Sequence, residues 1–166
     1  EAAHHNVHFG AEWDPALKVV IKRGLRMPDP TVLVTLHSLG DTAAAPPGCS
    51  TIYALEPVPN LDGRLNWASD GDRFADELRQ RVARHGYPTA DVVVERCFDP
   101  LDWESMGMER GTPFALAHTA RQTGPLRPNN IERRVPGLVF AGSSTRPGVG
   151  VPMVVISGKL AAERVE

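Results

Sequence analysis

With 166 residues, 42% hydrophobic and 23% charged, the chain is long enough for a sizeable core and too apolar to be disordered. Its net charge of −2, from 18 basic and 20 acidic side chains, argues against nucleic acid as a main partner. Cys49 and Cys97 form neither a disulfide framework nor a metal-ligand spacing and point to a reducing compartment, and no apolar run reaches the roughly 18 residues of a membrane span.

Residues 6–10 alternate loosely and predict a short strand. His4 and His8 have the four-residue spacing that pairs ligands on a helix. On a strand the same spacing leaves them roughly 13 Å apart, which speaks against a shared metal. Asp14-Pro15 supplies a cap and a first-turn proline, so residues 14–23 predict a helix that Gly24 closes. Residues 32–37 and 51–58 predict two strands, the first of them buried. The non-helical loop between them, with Pro46-Pro47-Gly48, makes the pair antiparallel. Residues 70–85 give the clearest helix, capped by Ser69 or Asp70, with Phe74, Leu78 and Val82 along one face. Residues 92–98 predict another strand, with Cys97 an inert core thiol. Asp99-Pro100 starts a short helical turn through Met106; Asp99, Asp102 and Glu104 read as capping groups rather than as an acid–base pair.

Residues 107–130 have no clean period. His118 there reads as a hydrogen-bonded structural histidine. Met106, Met108, Phe114 and Leu116 fit the wall of an apolar tunnel or the core equally well. Arg121, Arg127, Arg133, Arg134 and Arg146 form a loose basic group, each read singly as a solvated side chain. Trp13, Trp67 and Trp103 are core or interface candidates. Residues 139–142 predict a last strand and residues 152–165 a last helix.

Between them lies Gly142-Ser143-Ser144-Thr145-Arg146-Pro147-Gly148-Val149-Gly150-Val151-Pro152-Met153. Strand, glycine-rich turn and helix is the arrangement in which backbone N–H groups and a helix N-terminus face an anionic or polar ligand. Gly148-x-Gly150 is not a Rossmann fingerprint, because Met153 stands where its third glycine would be. No serine sits in a G-x-S-x-G elbow, so nucleophilic catalysis has no support.

Thr145-x-Pro147-Gly148-x-Gly150-x-Pro152, followed by Ser157-Gly158-Lys159-Leu160-Ala161-Ala162, resembles the C-terminal signature of bacterial-type phytoene desaturases, FAD-dependent enzymes with an amine-oxidase-like fold. His4-His5-Asn6-Val7-His8-Phe9-Gly10, Ala54-Leu55-Glu56-Pro57-Val58-Pro59-Asn60 and residues 112–130 are similar to further family segments, in the same order. The resemblance implies an α+β fold, with residues 1–134 a substrate-domain portion and residues 135–166 the returning segment of the FAD domain. It implies FAD as cofactor, met by Gly142, Ser143, Ser144, Gly148, Val149, Gly150, Val151, Pro152 and Met153. The helix near Pro152 would aim its N–H groups at the electron-rich edge of the flavin. It implies a polyene lipid as substrate and hydrogen removal across a C–C bond, as in carotenoid biosynthesis, and it names no catalytic acid or base. The ADP-binding G-x-G-x-x-G segment of such enzymes has no counterpart here, so the chain is expected to be the C-terminal third of a longer enzyme whose N-terminal half is its partner. A cytoplasmic protein with peripheral membrane contact is the matching expectation. Arg146 replaces the commoner histidine of the motif, which leaves desaturase, isomerase and later carotenoid dehydrogenase open. A partner-docking or lipid-binding module without redox chemistry is the alternative from another class.

Overall fold

The computed structural model describes residues 2–117 and 119–165, which form two compact units divided between Met106 and Gly107.

The first unit is built on an antiparallel meander of three strands, β1 (His5–His8), β2 (Val32–Leu36) and β3 (Ile52–Leu55), with β2 in the middle. His8 lies opposite Val32, and Leu36 opposite Ile52. Val32 and Val34, two residues apart and so on one face of the pleat, pack with Val82 and Tyr87 into the core. Leu36, Ile52, Ala54 and Leu78 close around them. Burying each valine contributes roughly 1.5–3 kcal/mol.

Between β1 and β2 runs α1 (Trp13–Lys18), which widens into a π turn (Val19–Arg23) and stops at Gly24 in the left-handed conformation, φ 61°. Asp14 is not the cap expected of it. It lies inside the helix and pairs with Lys18 at 2.7 Å, while Glu12 holds the cap position without a side-chain bond. His37 leaves the strand to open a single turn, α2 (His37–Gly40).

The long helix α3 (Trp67–Arg84) starts three residues before its expected position. Asn66, not Ser69 or Asp70, is its cap, accepting the Ser69 N–H at 3.3 Å. Trp67, buried edge-to-face on Phe74, extends the apolar face by about two turns. In α4 (Pro100–Ser105) Asp99 accepts from the N–H groups of Leu101 and Asp102, and Asp102 accepts from the Asp99 N–H at 2.9 Å, a complete capping box.

Residues 92–98 do not form the expected strand. They are irregular and exposed, Val93 at 86%, with Glu95 clasped by Arg79. Strand propensity measures fit to a pleated, half-buried surface, and within this unit no such surface meets these valines.

The second unit has short 3₁₀ turns at Glu109–Gly111, Ala120–Gln122 and Gly124–Leu126. A single antiparallel bridge between Ile131 and Val139 stands where residues 139–142 predict a strand. The unit ends in α5 (Val151–Ala162). Within this unit Arg127 and Asn130 bond residues 107–134 to the terminal segment. Helices with a small antiparallel sheet give the α+β class.

Candidate functional site

The loop from Gly142 to Gly150 is shaped by three glycines whose φ values of 117°, 144° and 110° (Gly142, Gly148 and Gly150) exclude other residues without strain. A Cβ placed on Gly142 or Gly150 meets nothing within 4 Å, so the face above both is open. α5 then begins at Val151 with Pro152 in its first turn and Gly150 at the cap, and no side chain caps it. No side chain therefore offsets the positive end of its dipole, and Val151, Pro152 and Met153 around it are exposed. Ser144, Gly150, Val151, Pro152 and Met153 are exposed. Ser143, Gly142 and Val149 are half-buried, and Gly148 is buried in the turn. The nine residues expected at the site thus share one loop and helix start.

Beneath the loop lies a polar cluster that the sequence reading missed. Arg127, expected on a solvated face, is 1% exposed. Its guanidinium donates to the carbonyl oxygens of Thr145 (3.0 Å), Gln122 (3.0 Å), Leu116 (3.3 and 3.4 Å) and Ser143. Asn130 is equally buried, and its amide donates to Phe140 O (2.9 Å), Ser157 Oγ (3.0 Å) and Thr145 Oγ1 (3.2 Å). Ser157, on the inner face of α5, accepts the Gly142 N–H at 3.0 Å and shares a 2.7 Å bond with the Thr145 hydroxyl. Among the described residues no buried side-chain polar atom is left unbonded. Arg146 closes the group by donating to Arg127 O at 3.0 Å. The only signals in the sequence were a serine inside an apolar helical run and the polar Arg127-Pro128-Asn129-Asn130 stretch.

The network turns loop carbonyls inward, onto Arg127 and Asn130. The exposed side keeps glycine positions open to close approach and an uncapped helix N-terminus, which suit an electron-rich ring edge bearing carbonyl oxygens. A flavin fits that chemistry.

The other candidates fall elsewhere. Asp99 and Asp102 serve the cap of α4, where Glu104 also sits. Cys97 is exposed rather than in a core, and its thiol is pushed up by local burial and then by Asp99, Asp102 and Glu95, so it is a poor nucleophile. His8 bonds Tyr87 OH at 2.9 Å and stacks on His85; His5 bonds Thr35 Oγ1 at 2.8 Å. Trp67 is core, Trp13 is exposed against Phe9, and Trp103 stacks on Phe98. Met106, Met108 and Phe114 are exposed, not core. His118 lies outside the described residues.

A profile of the flavin-containing amine oxidoreductases matches residues 28–166. The chain is 42% identical to a phytoene dehydrogenase of Streptomyces griseus, over 99% of its length and 34% of that protein's. It is 36% identical to a zeta-carotene-forming phytoene desaturase of Myxococcus xanthus (99% of this chain, 32% of that one). A carotenoid 3,4-desaturase of Haloarcula japonica is 37% identical (96% and 32%). The chain therefore spans about a third of the length of the curated relatives it matches.

Proposed function

The chain belongs to the flavin-containing amine oxidoreductase family, and on that premise we propose that it is the C-terminal part of an FAD-dependent desaturase acting on a carotenoid precursor. The observation that carries this reading is the open glycine loop joined to the uncapped start of α5. When bound, the flavin would supply the acceptor for a hydride equivalent from a carbon beside the polyene, with the proton of the adjacent carbon passing to solvent as the C=C bond forms. This chain's part is positional. Gly142, Ser143 and Ser144 and the turn from Gly148 to Met153 line the cofactor, and the end of α5 favours negative charge there. Exposed Met108 and Phe114 offer apolar surface to a polyene. We assign residues 135–166 to the FAD domain and residues 1–134 to the substrate side. The ADP moiety is held by a segment outside this chain, and the lipid substrate is drawn from a bilayer surface.

The test is the full-length enzyme, purified with FAD and given a partly saturated polyene precursor in phosphatidylcholine vesicles. The expected result is a stepwise red shift of polyene absorbance that disappears without FAD. A flavin-loaded enzyme that leaves the number of double bonds unchanged overturns the desaturase reading, and a shift of cis/trans isomers alone favours an isomerase.

A further inference from the structure

The second unit buries one full positive charge without an acidic partner. Arg127 is 1% exposed, and among the described residues no carboxylate pairs with it. Its five donor contacts all end on backbone carbonyls, two of them, Ser143 O and Thr145 O, belonging to the glycine loop itself. A guanidinium stays charged at every accessible pH and fixes its fork of N–H groups in one plane. Burying such a charge on carbonyl dipoles alone is expensive, and a structural clamp could be built from a neutral donor, as the Asn130 amide on Phe140 O already shows. The cation lies one hydrogen bond beneath a loop whose outer face is open and whose helix presents its positive end.

We propose that Arg127 is a positioning residue for the flavin: it holds the carbonyls of Ser143 and Thr145 inward, away from the cofactor, and its buried charge stabilises the reduced, more negative form of the flavin. The proposal rests on the flavin-site reading above and adds to it the origin of the site's charge. Two consequences separate. Geometry sets how tightly the cofactor is held; charge sets its midpoint potential.

The experiment uses the full-length enzyme and two variants, Arg127→Lys and Arg127→Met, with three readouts: flavin dissociation constant, midpoint potential by spectroelectrochemistry, and Tm. Arg127→Lys keeps the charge but has three donors on a single point, too few for this set of carbonyls. Its flavin dissociation constant should rise on the order of 10-fold with the midpoint potential near that of the wild type. Arg127→Met should lower the potential as well. An unchanged dissociation constant in Arg127→Lys, or equal potentials for Arg127→Met and wild type, overturns the proposal. So does failure of both variants to fold, which would make Arg127 a structural residue only. A wild-type enzyme that binds no flavin refutes the flavin-site reading instead.

Discussion

Glu56 shows how one side chain ties sheet to helix in the first unit. Its side chain is 4% exposed and takes both a bidentate bond from Arg26 (2.5 and 3.0 Å) and a bond from Arg81 of α3 (3.1 Å). Arg26 continues to Glu77 and lies over the Phe74 ring. Removing one partner of a buried ion pair leaves the others uncompensated, so Glu56→Gln is expected to cost on the order of 3 kcal/mol in denaturant unfolding. His85 gives the unit a pH response. Burial first, then His8, Arg81 and Arg84, hold its pKa below the ordinary 6.5, against a small opposing pull from Asp29. The unfolded chain therefore binds the proton more readily than the fold. Stability from this site is level above about pH 6.5 and falls as pH drops below it. A Tm profile should show that fall in the wild type and a smaller one in His85→Asn; equal profiles would remove His85 as the cause.

At the scale of elements, caps decided more than periodicity did. The apolar spacing of residues 74–82 identified α3, yet its start depended on whether Asn66 or Ser69 captured the first free N–H, and burial of Trp67 settled that. The capping box of α4 makes a prediction that separates structure from chemistry. Asp99→Ala should cost about 1 kcal/mol of stability and leave turnover of the full-length enzyme unchanged after correction for folded fraction. A large loss of turnover at unchanged Tm would return Asp99 to the list of acid–base candidates. α5 differs in kind. Val151, Val155 and Ile156 are exposed on a helix apolar on nearly every side, a pattern that belongs to a helix buried in a larger protein.

For the molecule as a whole, that exposed apolar surface and the one-third coverage of its relatives point the same way. Residues 1–166 expressed alone are expected to lose FAD on desalting and to bind a hydrophobic dye. Adding the remaining segment of the full-length enzyme should restore flavin absorbance and reduce dye binding. Near-equimolar flavin retained by residues 1–166 alone would contradict this.

The sequence by itself determined the antiparallel β2–β3 pair, the long helix α3, the capping role of Asp99 and the helix that follows the glycine–proline loop. Each of these depends on neighbours a few residues away: β-branched runs, four-residue apolar spacing, an Asp-Pro start, glycines at positive φ. Only the tertiary structure decided that residues 92–98 find no sheet to join, that Cys97 is exposed, and that Arg127 is buried beneath the loop while its neighbours in sequence are not. A strand needs a partner, and a buried guanidinium needs carbonyls. Here these carbonyls come from Leu116 on one side in sequence and Thr145 on the other, brought together only by the fold.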